Sequence, residues 1–443
     1  MNAQLEYQSK LMTGLQASYL IKDGQTIFQS SEPVSIMKAL RERYMEYNNL
    51  TVVSMGMTNC AAHHFEDPEL NGHIRAVHSY MSKVEHQSQK RGRILEYRAA
   101  HMSEMEDLIQ RVKPDYVLIA SHGMDENGNF HLGPNPLGSV AAVQAGAKAI
   151  VEVNPNIPLL NTDYNIVNIR DVAAICEDNS PITFYPTPVP DEKAKKIAGY
   201  IGERVQDGAT IQIGFGSVPD AVAMALMSYG KKDLGIHTEV LTPSMVRMIM
   251  NGTVNNSKKT VEKGRTVFGF LNPSEESLKF MNGNDTFVSK QISWINNRNV
   301  VMQNYRMTSI NACLSVDLKG QVIDLYGQIS SESAGLRHIS GTGGQLDFVY
   351  GARRAPEGQS FLTMNSTVEK PDGTRISKIC LNFEPGTVVS VSRNDVDKVV
   401  TEYGVAELLY KTDSEKAKAL ISIAHPDFRD ELTFQAKKHG IIV

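Results

Sequence analysis

Three short segments carry residue types that could do chemistry. In Gly235-Ile236-His237-Thr238-Glu239-Val240-Leu241 an imidazole, a hydroxyl and a carboxylate stand side by side. Such a trio can supply acid/base groups, metal ligands or ordinary loop polarity. No further histidine or carboxylate follows at metal-ligand spacing, so no metal is expected there. Read as a strand, the segment sends His237 and Glu239 to one side and Thr238 to the other. Spacing alone does not make Glu239 catalytic, because a lone glutamate at a strand end is usually solvated.

The second segment is Ile211-Gln212-Ile213-Gly214-Phe215-Gly216-Ser217-Val218-Pro219, a strand pattern running through glycines into a helix pattern. Glycines there let backbone N–H groups approach a ligand, and the helix start favours anions. A dinucleotide fingerprint needs a third glycine where Pro219 stands. A simple tight turn is the competing reading. The third segment, Ser340-Gly341-Thr342-Gly343-Gly344-Gln345-Leu346-Asp347-Phe348, packs its glycines closely. That implies positive φ angles or close backbone approach, with N–H groups free to stabilise an oxyanion; a flexible hairpin tip is the alternative. No serine-hydrolase elbow is present, since Gly214-Phe215-Gly216-Ser217-Val218 places its serine one position late. A Walker phosphate loop is also missing.

The elements that must hold these segments alternate along the chain. Thr51–Met55, Asp115–Ala120 and Ala149–Val153 are short and rich in β-branched residues, whereas Val34–Tyr47 and Ser139–Lys148 have helical apolar spacing. Strand, helix, strand implies crossovers and an α/β fold with largely parallel sheets. A weak repeat appears as well. Asp23-Gly24-Gln25-Thr26-Ile27 precedes Pro33 and Ala39-Leu40, and Asp207-Gly208-Ala209-Thr210-Ile211 precedes Pro219 and Ala225-Leu226, with the same Pro-to-Ala-Leu spacing. A second echo sets Asp125–Phe130 against Asp317–Val322. Two similar open α/β domains are expected, 1–187 and 188–443. They would be joined at the proline-rich Tyr185–Pro190, with Glu192–Val205 helical and the active site in the cleft between them.

Length and composition agree. A chain of 443 residues is too long for one ordinary core. With 41% hydrophobic and 21% charged residues it reads as a soluble globular protein. A net charge of −4 argues against a nucleic-acid partner, and Lys90, Arg91 and Arg93 read as a solvated helix face. The polar Met1–Lys10 shows no export signal, and no apolar run of about 18 residues suggests a membrane span. Cys60, Cys176, Cys313 and Cys380 lie far apart, which suits free thiols in a reducing cytoplasm.

Taken together, the chain resembles the acetyl-CoA hydrolase/transferase family, which includes 4-hydroxybutyrate and butyryl-CoA:acetate CoA-transferases. The resemblance rests on Gly214–Pro219, Gly235–Glu239, Ser340–Gly344 with Asp347-Phe348, and the tail segments Ser392–Asp397, Thr401–Gly404 and Ala424–Arg429. It implies that Glu239 forms the covalent intermediate. It also implies that Gly214, Phe215, Gly216, Ser217 and Val218 bind CoA, with Ser340 and Gly344 adding contacts. Asn296 corresponds to the oxyanion-hole asparagine, partnered by the Gly344 N–H, although Asn297 is adjacent and the usual Asn-Asp-Pro is not kept. Two stretches depart from the family pattern: Val240-Leu241-Thr242-Pro243 after Glu239, and Gln29-Ser30-Ser31-Glu32-Pro33 in the first half. Both are expected to border the acyl pocket. The implied activity is CoA transfer from a short-chain acyl-CoA to a carboxylate such as acetate, butyrate or 4-hydroxybutyrate, by a ping-pong route. Hydrolysis of the same thioester is the nearest alternative, and non-catalytic acyl-CoA binding a more distant one. Coenzyme A and acyl-CoA would be substrates, with no cofactor permanently bound, and a homo-oligomer is implied.

Overall fold

Most of the short β-branched runs become parallel strands, with helices supplying the crossovers. The computed structural model describes residues 2–31, 33–55, 64–182, 184, 189–313, 322–370 and 372–442. They gather into two units, Met1–Tyr185 with Val267–Ile295, and Pro186–Thr266 with Asn296–Val443. The segment Val267–Ile295 thus packs with the first unit although the sequence division placed it in the second half.

The first unit is built on β1 (Thr26–Gln29), β2 (Leu50–Ser54), β3 (Ile74–His78), β4 (Leu95–Tyr97), β5 (Tyr116–Met124), β6 (Lys148–Val153) and β7 (Val172–Glu177). Their order is β7-β6-β5-β1-β2-β3-β4, and each neighbouring pair is parallel. Val117, Leu118 and Ile119 on β5 are fully buried in succession, as a sheet covered on both faces requires. The expected helix over Val34–Tyr47 is shorter, Val34–Glu42 followed by a 3₁₀ turn, Tyr44–Glu46.

The second unit contains β8 (Thr210–Ile213), β9 (Gly235–Leu241), β10 (Thr308–Ala312), β11 (Gln359–Thr363), β12 (Lys398–Thr401) and β13 (Gly404–Glu407). The order is β13-β12-β11-β10-β8-β9, parallel except for β12 against β13.

The repeat has a structural basis. Gly24 (φ 78°) and Gly208 (φ 74°) both take the left-handed turn that launches a central strand, β1 or β8. The aspartate before each ties down the loop leading to the neighbouring strand. Asp23 Oδ1 accepts from the Asn48 and Asn49 N–H groups at 2.8 and 2.7 Å, and Asp207 Oδ1 from Lys232 N–H at 2.9 Å. The helices Val34–Glu42 and Ser217–Ser228 then carry the matching Ala-Leu pairs. Of the second echo, Asp125 closes a turn by accepting from Asn127 and Asn129 N–H, at 2.9 and 2.8 Å. Asp317–Gln321 lies outside the described residues, as do Glu32, Cys60 and Tyr185–Pro188 of the proline-rich join.

The basic cluster is not one solvated face. Lys90 and Arg91 are exposed, but Arg93 is only 3% exposed. Its guanidinium donates to Phe65 O, Asn71 Oδ1 and Ile74 O at 3.0, 2.8 and 2.7 Å, which compensates its burial. Among the described residues no helix is long and apolar enough to cross a membrane.

Candidate active site

Glu239 sits near the C-terminal end of β9, where parallel sheets commonly present ligand sites. The ladder pairs Thr210 with Gly235 and Ile211 with Ile236, and continuing that register sets Gly214 opposite Glu239. On the strand, His237 and Glu239 share a side, and both meet the helix Gln345–Ala352. His237 is fully buried with its ring edge-on to Phe348 at 6.2 Å between centroids. The Glu239 carboxylate lies where the helix begins.

Gly344 is the N-cap of that helix, and a Cβ there would overlap both Glu239 Oε2 and Asn296 Nδ2. The missing side chain therefore makes the space in which carboxylate and amide meet. Asn296 is fully buried and donates from Nδ2 to Glu239 Oε2 at 2.6 Å, while its Oδ1 has no hydrogen-bond partner. Asn297 faces away: it is exposed, and its Oδ1 caps Arg298–Val301 by accepting from Asn299 N–H at 2.9 Å.

Burial pushes the Glu239 carboxyl up from its ordinary value to about 7. The Asn296 hydrogen bond pulls it down, and the negative charge of Asp347 adds to the rise. Asp347 is fully buried one turn into the helix and pairs with Arg298 Nε at 3.0 Å. Sequence reasoning did not single out Arg298. The available signal was its position two residues after Asn296 and the Asp347-Phe348 pair in the glycine motif.

The loop after β8 is shaped for close backbone approach. Gly214 N–H donates to Ile310 O at 2.8 Å, and a Cβ on Gly214 would stand 3.3 Å from Asn311 Oδ1. Asn311 is locked by a reciprocal amide pair with Gln212, at 2.9 and 3.0 Å. Gly216, at φ 131°, is the N-cap of Ser217–Ser228, with Phe215 half exposed beside it and Ser217 and Val218 opening the helix. Ser340 opens the glycine loop but directs its hydroxyl to Ser331 O at 2.9 Å. The structure thus brings Glu239, Asn296 and Gly344 into one cluster, sets the Gly214–Val218 loop on the adjacent strand, and turns the Ser340 side chain into its own loop.

Neither His237 nor Glu239 belongs to a metal-capable group among the described residues; the one grouping of that kind is Glu66, His78 and Glu85 in the first unit.

Parallel α/β units with a carboxylate at a strand's C-terminal end define the broad class of α/β enzymes that bind ligands beyond their strand ends. Models of the acetyl-CoA hydrolase/transferase N-terminal and C-terminal domains match residues 1–186 and 274–436. Succinyl-CoA:cyclohexane-1-carboxylate CoA transferase of Geobacter metallireducens is 35% identical over 98% of this chain and 96% of its own. The 4-hydroxybutyrate coenzyme A transferase of Clostridium kluyveri is 33% identical over 98% of each. The crystal structure of RipA from Yersinia pestis superposes with a TM-score of 0.91 at 30% identity, covering all of both chains. The chain belongs to the acetyl-CoA hydrolase/transferase family.

Proposed function

We propose that this acyl-CoA:carboxylate CoA-transferase moves CoA from a short-chain acyl-CoA to an acceptor such as acetate, butyrate or 4-hydroxybutyrate through a glutamyl-CoA thioester on Glu239. The observation that carries this reading is the contact of the Glu239 carboxylate with Asn296 Nδ2 in the space left by Gly344.

In water a carboxylate is a weak nucleophile because hydration stabilises its charge. Enclosed and aimed at a thioester carbonyl it gains from orientation and from lost hydration. Ionised Glu239 adds to the acyl carbonyl, the C–S bond breaks, and an acyl-glutamyl anhydride and CoA thiolate result. The thiolate then adds to the Glu239 carbonyl, releases the donor carboxylate and leaves the glutamyl thioester. An acceptor carboxylate runs both steps in reverse, so one thioester is exchanged for another without ATP. Each addition places negative charge on an oxygen that Asn296 Nδ2 and the Gly344 N–H are there to receive. Loss of one such donor typically costs about 100- to 1000-fold in rate. Gly214, Phe215, Gly216, Ser217 and Val218, with Ser340, bind CoA in this reading. The chain works in the cytoplasm as a homo-oligomer, 1–187 and 188–443 being its N- and C-terminal CoA-transferase domains and no cofactor being held permanently.

Acyl-CoA supplied without acceptor should leave a CoA adduct on the peptide containing Glu239, detected by mass spectrometry, and two-substrate kinetics should be ping-pong. An adduct on another residue would remove Glu239 from its role. Acyl-CoA consumption that is as fast without acetate as with it would instead make the chain a hydrolase.

A further inference from the structure

We propose that Glu66, His78 and Glu85 form a divalent-cation site suited to a transition-series ion such as Zn²⁺. Their facing donor atoms all lie within 4.8 Å of one another, and His78 Nε2 is 3.6 Å from Glu66 Oε1. The three residues are 3%, 4% and 1% exposed. Both carboxylate oxygens of Glu66 and both ring nitrogens of His78 lack a hydrogen-bond partner. A buried polar atom left unpaired is costly, and a buried carboxylate facing a buried imidazole, neither of them hydrogen-bonded, calls for a ligand.

The surroundings favour a cation. Arg93 and Arg91 are the cationic neighbours of Glu66, and Arg93 also acts on His78, but the Arg93 guanidinium spends its hydrogen bonds on Phe65 O, Asn71 Oδ1 and Ile74 O instead of either glutamate. Glu85 is oriented by a capping box, in which Oε2 accepts from Ser82 N–H at 2.7 Å and from the Ser82 hydroxyl. Oε1 is left to ligate, much as hydrogen-bonded partners orient metal-binding carboxylates elsewhere. An imidazole with two carboxylates suits Zn²⁺ or Mn²⁺ better than Mg²⁺ or Ca²⁺, which prefer oxygen alone. Bonds of about 2.0–2.2 Å place donors roughly 3–3.6 Å apart. The Glu66–His78 spacing already meets this, and a turn of a glutamate's terminal bond brings in the third donor. His78 ends β3, Glu66 precedes the 3₁₀ turn Pro68–Leu70, and Glu85 lies in the first turn of Lys83–Lys90. An ion here would staple three segments of the first unit.

The full-length chain, stripped with a chelator and dialysed, is titrated with Co²⁺ as a visible probe and then with Zn²⁺ in competition. One equivalent per chain is expected, with ligand-field bands and no thiolate charge-transfer band. Glu66→Gln and His78→Asn should each weaken binding at least about tenfold. Zn²⁺ should raise the melting temperature of the wild-type chain and not that of Glu85→Gln, which keeps the proposal testable should a His78 variant not fold. Absence of stoichiometric binding, a thiolate band, or equal affinity in the variants would overturn it.

Discussion

Glu239 is burdened and enabled by the same enclosure. Burial raises its carboxyl to about 7 in the folded chain, against an ordinary value of 4.5. Below about pH 4.5 the group is neutral folded or unfolded and costs nothing. Above 7 it is charged in both states and the whole burial cost is present, so this stability is lost as pH rises between those values. Glu239→Gln keeps an oxygen for Asn296 and never carries the charge. It should abolish nearly all transfer, yet melt higher than wild type at pH 8, with the gain vanishing towards pH 4.5; differential scanning calorimetry across that range checks it. Under the proposed mechanism catalysis has the opposite sign, because Glu239 must be ionised to attack. The value of kcat/KM for acyl-CoA should fall about tenfold per pH unit below 7. Asn296→Ala removes the contact that lowers the pKa and should move this limb upward, while Asp347→Asn removes a neighbouring negative charge and should move it downward. Limbs shifting in one direction for both variants would contradict the assigned causes.

At the scale of elements, the site depends on where a helix begins. Gly344 has φ −106° and ψ 9°, angles open to alanine, so Gly344→Ala tests space and not backbone strain. The new methyl would press on Glu239 Oε2 and Asn296 Nδ2. A fall in kcat of at least about 100-fold is expected, with far-ultraviolet circular dichroism unchanged. Much of this was legible in the residues themselves. Glycines and β-branched runs act locally, so β8, β9, the loop between β8 and its helix, and the shared side of His237 and Glu239 all follow from sequence. Asn296 and Asn297 could not be separated that way, since adjacent identical residues differ only in what their side chains reach. The structure separates them. Asn297→Ala should cost about 0.5–2 kcal/mol as a lost cap and leave the transfer rate near wild type, whereas Asn296→Ala should lose about 100- to 1000-fold. Arg93 escaped the sequence for a related reason: its carbonyl partners lie far along the chain, and charge patterning sees only neighbours.

At the scale of the molecule, the repeat was visible but the interleaving was not. The Asp-Gly turns before β1 and β8 announce two similar units, because each depends on a few adjacent residues. That Val267–Ile295 packs with the first unit depends on contacts more than a hundred residues apart. Leu271 N–H donates to Pro134 O at 2.9 Å, and Val288-Ser289 pairs in parallel with Asn161-Thr162. Asn165 Nδ2 donates to Ser289 Oγ at 2.6 Å. Glu106, 3% exposed, accepts from the Ile292 and Ser293 N–H groups, both at 3.1 Å. Phe268, Phe287 and Ile292 arrive with the same segment and are at most 2% exposed. A fragment ending at residue 187 would lose these partners together, uncovering apolar surface and stranding the Glu106 carboxylate without its donors. Each buried large side chain contributes about 1.5–3 kcal/mol, so the sum approaches the whole stability of an ordinary domain. Expressed alone, 1–187 should therefore be aggregated or only partly folded by size-exclusion chromatography and near-ultraviolet circular dichroism. The same fragment produced together with 188–443 should recover solubility, because the missing segment is then supplied from the second chain. A monodisperse, cooperatively melting 1–187 would show that the first unit does not need Val267–Ile295.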